Sequence, residues 1–481
     1  MGLSVKKNFA YNLIHTMTGI IFPLITFPYV SRVLLADGIG QVQFYQSIID
    51  YVVLFTALGL PLYAVRETAR VRNDKFQLSK TATEILVLHL FLSIIGYVAV
   101  FIIGFNVEKI YSNLALFLLL SIRLFFSAIG VLWFYSGIED FRYITIRAVC
   151  VRTVSLIALF LFVKTKDDLL IYAAISVIAE AGANVFNFVR LRKFINFIPF
   201  KLLSPLRHLR PALKIFSLNL IVSIYINLDT VMLGFMSSDT AVGYYAAATR
   251  ITKTILALVQ SLGIVLLPKL SNLVAEKRME EFKDIANKGI CFMIMSGLPL
   301  SIGLIFMAKP ILMLFAGENF IPAIQTLQIL APIILFISLS GIVGMQVLYS
   351  LGKENLALIG VSVGAVTNFT LNMFLIPAFA QNGAAFATSI AEFLVMVVMI
   401  VLARKHFPVN IFRSENRHYF YGSILITLFL VLLSMAGLNL YWYFAIGVIG
   451  AILIYGGYLL YFRDYFALLI INTVKDKLHL K

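Results

Sequence analysis

The side chains of this 481-residue chain that could do chemistry are charged residues standing in or at the ends of long apolar runs. Arg123 falls near the middle of one run, and Arg250 and Lys253 lie about a third to halfway along another. Arg147 and Arg152 open a further run, and Arg32 closes the first. The acids in comparable positions are Asp50, Glu180, Asp229 and Glu392. An ionisable group at membrane depth is costly, so it faces a water-filled cavity or a partner. Guanidinium offers paired planar donors and ammonium a point charge, so sheltered cations of both kinds suit an anion. Arg250 and Lys253 head that assignment, with Arg123 behind them. The competing reading is an internal ion pair, Arg250 with Asp229 or Arg123 with Glu180. For Arg32, Arg147 and Arg152 the alternative is a long side chain reaching from its helix end to the membrane surface. A carboxylate exposed in turn to either side of a membrane can carry a proton or sodium ion. Asp50 and Glu392 suit that task first, then Asp229 and Glu180, with a structural pair as the alternative for each. His15 and His89 are read as interhelical hydrogen bonds.

Polar residues also recur at helical spacing. The sets are Asn12, Thr16 and Gly19; Gln43, Ser47 and Asp50; Asn219, Ser223 and Asn227; Thr249, Lys253 and Gln260; and Asn368 with Asn372. Such spacing places each set on one helix face. These faces either line a wet central cavity or make hydrogen bonds between packed helices, as small polar residues do.

The apolar runs that carry these residues dominate the chain, which is 61% hydrophobic and 13% charged with a mean hydropathy of +0.94. A soluble protein of this length needs far more charge to cover its surface. About 20 apolar residues cross the hydrocarbon core. Backbone in lipid must satisfy its hydrogen bonds internally, so each run is a helix. The pattern predicts an all-α polytopic membrane protein with about fourteen transmembrane helices, roughly 9–33, 41–63, 83–104, 112–136, 143–163, 168–190, 212–235, 241–268, 286–308, 322–351, 355–377, 383–404, 418–437 and 442–463. The run from Phe9 to Val33 is too long for a signal peptide and lacks a small-residue cleavage site, so it is read as a retained span. Cys150 and Cys291 give neither a CxxC site nor a disulfide framework.

Loop charge sets orientation. The breaks after spans 2, 6, 8 and 12 hold basic clusters, such as Arg66, Arg70 and Arg72, or Arg190, Arg192 and Lys193. Breaks after odd spans are poor in Lys and Arg. The even loops and both termini are therefore expected in the cytoplasm. The net charge of +16 is read in the same way, and no nucleic acid partner is expected.

The connector 191–211 is basic, contains no acid, and carries Pro199, Pro205 and Pro211, which stop helices from running through. It is expected to join an N-lobe, 1–190 with spans 1–6, to a C-lobe, 212–404 with spans 7–12. Spans 13–14 and a cytoplasmic tail fill 405–481. A repeat supports the two lobes. Gly40 opens span 2 and Gly243 opens span 8; Tyr135-Ser136 closes span 4 and Tyr349-Ser350 closes span 10. Both pairs join spans of like direction, so two six-helix lobes form a parallel repeat, with spans 13 and 14 as an appendage.

Catalytic signatures are missing from the sequence. No GxxxxGK[ST] loop, HExxH motif or Cys/His ligand cluster occurs, so neither a metal site, a cofactor nor a catalytic residue is expected. A polytopic polymerase or ligase would need a long outer loop, and every outer connection here is short. The chain is not read as an enzyme.

Three stretches carry a family resemblance. Asn227-Leu-Asp229-Thr-Val-Met-Leu-Gly234, with Val242-Gly243-Tyr244-Tyr245, Arg250-Ile251 and Leu267-Pro268-Lys269-Leu270-Ser271, resembles spans 7 and 8 of the multidrug/oligosaccharidyl-lipid/polysaccharide exporter superfamily. Pro310 to Phe320, then Ala323 and Leu327 to Pro332, resembles the start of span 10 in its polysaccharide branch. Pro28-Tyr29-Val-Ser-Arg32 with Gly38-Ile-Gly40 is similar to the opening of Wzx-type oligosaccharide (O-antigen) flippases. The resemblance implies a MATE-like fold in which spans 1, 2, 7 and 8 line the cavity. It implies translocation of a polyprenyl-diphosphate-linked oligosaccharide across the bacterial plasma membrane for surface polysaccharide assembly. Membrane lipids, a polysaccharide polymerase and chain-length machinery are the partners it admits. Arg250, Lys253, Arg123, Arg32, Arg147 and Arg152 then become candidates for holding the diphosphate. Two relatives of the same fold stand as alternatives: a flippase for the peptidoglycan lipid precursor, and a cation-coupled drug exporter. Span 1 contains no Asp or Glu, which counts against the drug exporter.

Orientation is testable directly. Alkaline phosphatase fused after Lys164 should be active, and fused after Lys193 inactive; the reverse pattern would invert the topology.

Overall fold

The computed structural model describes residues 5–407, 416–469 and 472. Among them every regular element is a helix. α1 (Val5–Ala57) runs for 53 residues, but Leu35 takes a left-handed φ of 60° and breaks it into two limbs. Those limbs are the first two expected spans. α2 (Leu60–Val71) follows a second left-handed break at Leu58 and Gly59. A Cβ on Gly59 would meet Ala212 O and Phe216 N at 2.9 Å, so both its φ of 72° and the close approach call for glycine.

α3 (Lys75–Asn106) starts at Asp74, whose carboxylate accepts from the backbone of Phe76 and Gln77, two of the donors a helix start leaves unpaired. Then come α4 (Glu108–Tyr111), α5 (Leu114–Ile129), α6 (Leu132–Gly137), α7 (Phe141–Phe162), α8 (Leu169–Val177) and α9 (Ala183–Leu191). Between α8 and α9 the turn Ile178–Gly182 is widened to π-helix. The second half contains α10 (Leu209–Met236), α11 (Asp239–Ala275), α12 (Met279–Phe315), α13 (Ala323–Leu330), α14 (Ile333–Gly341), α15 (Glu354–Ala403), α16 (Arg417–Met435) and α17 (Leu440–Tyr461).

Among the described residues, ten helices are long and apolar enough to cross a membrane, or eleven if the bent pair Pro205–Ser217 and Leu220–Met236 is one span. The difference from the expected fourteen has a physical source. α1 holds two expected spans joined at Leu35, and α15 holds two joined at Ala380, where φ is 48°. Each pair is joined through one non-helical residue instead of a polar loop. α11, not among the ten, covers the expected eighth span and carries Arg250 and Lys253.

The chain forms two compact units, Met1–Gly243 and Tyr244–Lys481. In the first, α1 packs on α3, α5, α7 and α10, α3 on α5, and α2 on α6. Tyr63, Ile85, Leu88, Trp133, Phe134, Tyr135 and Leu191 form a buried cluster where these helices meet. The connector 191–211 is tied down through Glu84 of α3, which is fully buried. Glu84 accepts from Ser204 N at 2.8 Å and pairs with Arg207 at 2.5 Å and His208 at 2.9 Å. His208 Nδ1 is in turn 2.8 Å from Tyr63 Oη. A buried carboxylate persists when its lone pairs are satisfied this fully. α10, expected to open the C-lobe, packs against α1 and α2 and belongs to the first unit. In the second unit α12 is central: α13, α14, α16 and α17 all pack on it, while α15 packs on α13 and α14. α16 and α17 meet α12 through a small cluster of Met307, Ile426 and Leu430.

The two glycines that mark the repeat lie against each other inside the first unit. A Cβ on Gly40 would come within 1.7 Å of Asp239 O, and one on Gly243 within 1.9 Å of Ala36 O. Lys109 bridges the same region, 2.9 Å from Asp239 and bonded to Gly234 O. Backbone cannot yield as a side-chain tip can. Gly40→Val is therefore expected to destabilise by at least about 1–3 kcal/mol, lowering the unfolding temperature of the detergent-solubilised protein. Gly303→Ala, where nothing lies within 4 Å, should leave it unchanged or slightly raised.

Candidate functional site

A cavity of about 470 Å³ opens inside the first unit, within the usual volume range of ligand sites. His15 and Asp50 come from the two limbs of α1, Pro61, Leu62 and Val65 from α2, and His89 from α3. Arg123 and Ser127 come from α5, one helical turn apart, and Arg147, Ala148 and Arg152 from α7. Glu180 sits in the π-helical turn, and Asn184 follows a turn later on α9. The extra residue in a π turn rotates the helix faces on either side, a device common at functional sites.

Three guanidinium groups meet two carboxylates here, and the pairing is uneven. Arg123 Nη2 lies 2.7 Å from Glu180 and 3.2 Å from Asp50. Gln46 Nε2 also approaches Glu180, at 3.4 Å. Arg123 thus makes the ion pair that the sequence sets against a direct role in anion binding. Arg147 and Arg152 form no ion pair among the described residues. Arg147 is buried, donates from Nη1 to Ala183 O at 2.6 Å, and lies 5.8 Å from the Tyr143 ring centroid. Its Nε is buried without a hydrogen-bond partner in the protein. Arg152 donates to Thr18 Oγ1 at 2.7 Å and to His15 O at 3.2 Å. Neutral acceptors orient a guanidinium without cancelling its charge. The cavity therefore keeps a cationic end at Arg147 and Arg152 beside a group of Arg123, Asp50 and Glu180 that carries one net negative charge.

His89 departs from expectation. Its side chain was expected to hydrogen-bond a neighbouring helix, but both ring nitrogens are buried with no partner in the protein. Leaving such a group unsatisfied costs about 1–3 kcal/mol. His15 Nδ1 is likewise unpartnered. Trp133, Ser127, Ser136 and Asn184 also line the cavity and were not singled out in the sequence. A signal existed for two of them: Ser127 is four residues after Arg123 and Asn184 four after Glu180.

The remaining predicted residues lie elsewhere. Asn12 and Thr16 are exposed, Gln43 is half-buried, and Ser47 is fully buried with its hydroxyl on Gln43 O. Arg32 is exposed and donates to Pro28 O. Ser223 and Asn227 are half-buried on α10 and Asp229 is buried there; the side chain of Asn219 lies outside the described residues. In the second unit, Arg250 and Gln260 are half-buried, Lys253 is exposed, and Glu392 is buried. Asn368 is fully buried and accepts from Asn372 Nδ2 at 3.2 Å.

The helix order and the apolar spans define an all-helical polytopic membrane protein with a polar interior. The fold is that of "Lipid II flippase MurJ, inward closed conformation", with a TM-score of 0.74 at 16% identity over 95% of this chain and 99% of that one. An inward-facing multidrug resistance MATE family transporter matches with a TM-score of 0.65 at 14% identity, over 83% and 97% of the two chains. Residues 5–274 match the family described as "Polysaccharide biosynthesis protein", and the chain belongs to that family. Residues 215–374 match the MatE family. A "Putative O-antigen transporter" of Escherichia coli (strain K12) is 24% identical over 407 residues, 84% of this chain and 98% of the relative.

The uneven pairing predicts a double-mutant result. Arg123→Met removes the ion-pair partner of Asp50 and Glu180. Full burial would make that loss larger, but Glu180 is 49% exposed, so about 1–3 kcal/mol is expected. Adding Asp50→Asn should recover part of it. Thermal unfolding of the three variants gives the coupling, and strict additivity would show that the pair does not interact.

Proposed function

We propose that this chain is a flippase that carries polyprenyl-diphosphate-linked oligosaccharide repeat units from the cytoplasmic to the outer leaflet of the bacterial plasma membrane, for surface polysaccharide assembly. The observation that carries the reading is the cationic end of the cavity, Arg147 and Arg152, in a member of a polysaccharide biosynthesis family. A diphosphate is the part of such a substrate that cannot cross hydrocarbon, and two guanidinium groups held by neutral acceptors match its oxygens. Arg123 is the weaker ligand because two carboxylates already occupy it. The likeness to a putative O-antigen transporter of Escherichia coli supports a glycan cargo.

The proposed mechanism is alternating access. The headgroup and glycan enter from the cytoplasmic leaflet, and the polyprenyl tail stays in lipid. Each methylene withdrawn from hydrocarbon would cost about 0.8 kcal/mol, more in total than the site can offset. Rocking of one repeat against the other then opens the headgroup to the outside. An anion leaving a negatively charged cytoplasm gains about 2.3 kcal/mol per charge per 100 mV, so the membrane potential biases the cycle outward. Ion coupling through Asp50, Glu180, Asp229 or Glu392 would add to that bias. Arg250 and Lys253 remain proposed contacts for the diphosphate on α11, with Arg32 at the outer end of the first span. Both termini are placed in the cytoplasm. The polysaccharide polymerase and chain-length machinery are the proposed recipients of the product.

The test is complementation of a deletion strain. Arg152→Gln and Arg147→Gln should each reduce surface polysaccharide at least about 10-fold, the scale of a charge-assisted hydrogen bond. Lipid-linked repeat units should build up on the cytoplasmic face while protein levels hold. Full export by both variants would remove the assignment. Loss of dye resistance without any build-up would favour the drug exporter.

A further inference from the structure

The basic connector and the start of α10 carry a surface of a different kind, which shares no residue with the cavity lining. We propose that residues 192–214 form a docking surface for anionic phospholipid headgroups, in the cytoplasmic leaflet on the orientation proposed above. Such a surface does not depend on which cargo the cavity takes.

One side of this segment is fastened to the first unit. Asn196 N donates to Ser79 Oγ at 3.2 Å, and Ser204 N, Arg207 and His208 meet Glu84. Ile195 and Ile198 are buried. From Pro205 onward, His208, Ala212 and Phe216 are buried at a spacing of four, which is one helix face. The Phe216 ring lies 5.8 Å from that of Phe55. These contacts fix which side of the segment points outward.

The outward side mixes two chemistries. Phe200, Leu202 and Leu206 are 71%, 60% and 68% exposed. Arg192, Lys193, Lys201, Arg210 and Lys214 are exposed as well and pair with no carboxylate among the described residues. Leu206, Arg210, Leu213 and Lys214 follow the spacing of one helix stripe. Water is a poor surrounding for the apolar set, and hydrocarbon for the cations. The edge of a bilayer suits both: rings and leucines reach the acyl chains while Lys and Arg extend their charged ends into the headgroups. Position agrees. Pro205–Ser217 is bent by 62° from Leu220–Met236. With spans tilted about 20° on average, a helix turned so far lies nearer the membrane plane than the span does. Sign selects the lipid. No acid occurs from 181 to 228, so the face favours headgroups with net negative charge over zwitterionic ones.

The experiment reconstitutes the full chain in nanodiscs of equal parts phosphatidylglycerol and phosphatidylcholine. The protein is then extracted into mild detergent and the phospholipid it retains is measured. Phosphatidylglycerol should be retained in preference. Lys201→Gln with Arg210→Gln and Lys214→Gln should cut its retention at least about 10-fold, the scale of three surface cations. These three side chains make no ion pair in the protein, so the variant breaks none. Removing as much charge from other exposed positions, Lys269→Gln with Lys277→Gln and Lys405→Gln, should change retention by less than about twofold. Phe200→Ser with Leu206→Ser should lower it too, which charge alone would not do. Equal retention of the two lipids, or equal loss in both triple variants, would overturn the surface. Release of phosphatidylglycerol by inorganic phosphate at matched ionic strength would also overturn it, assigning the cations to free phosphate.

Discussion

Taking an ion out of water costs several kcal/mol unless partners restore what solvent gave, and the first unit is arranged around that cost. Glu84 is surrounded by Ser204 N, Arg207 and His208. Arg190 pairs with Asp140 at 2.9 Å and lies 3.8 Å from the Tyr143 ring centroid. Lys109 meets Asp239 and a backbone carbonyl. Arg123 has two carboxylates. Against that background Arg147 and Arg152 differ, since carbonyl and hydroxyl oxygens hold them and their charge is not cancelled. The excess charge is local and faces a cavity, which gives an anion somewhere to go.

Three helix irregularities border the same cavity. The break between α5 and α6, at Gly130 and left-handed Val131, lines it, and so do the start of α2 at Pro61 and the π-helical turn around Glu180. Non-helical backbone at membrane depth frees polar groups that lipid cannot satisfy, so it is tolerated inside protein or beside water. Side chains take up part of the load: Asn184 Nδ2 donates to Phe126 O at 3.0 Å, and Asn187 Nδ2 to Gly130 O. These breaks and the exposed charge therefore share one location for one reason. The freed backbone and the cations both need a polar surrounding, and the cavity provides it.

Much of the fold was legible because lipid makes the rules strict. Run length gives helix, and the apolar runs fell where the helices stand. The turns at Leu35 and Ala380 were not legible, since neither Gly nor Pro occupies the turning residue. The site was partly legible. Arg123, Arg147, Arg152, Asp50 and Glu180 stood out as charges in apolar runs, and they share one cavity. Trp133 gave no comparable signal, because an aromatic residue in a membrane helix is ordinary. His89 stood out, but its lack of a partner could not be read from a chain.

The sequence by itself determined that this protein is a bundle of membrane helices and which residues are too costly to leave in lipid. Those are properties of single residues and their spacing. The tertiary structure decided which charges cancel and which do not, since an ion pair depends on distances of a few ångströms between helices far apart in the chain. Asp50, Arg123 and Glu180 lie on three different stretches, and only folding brings both carboxylates within 3.2 Å of the Arg123 guanidinium, leaving Arg147 and Arg152 with charge to spare.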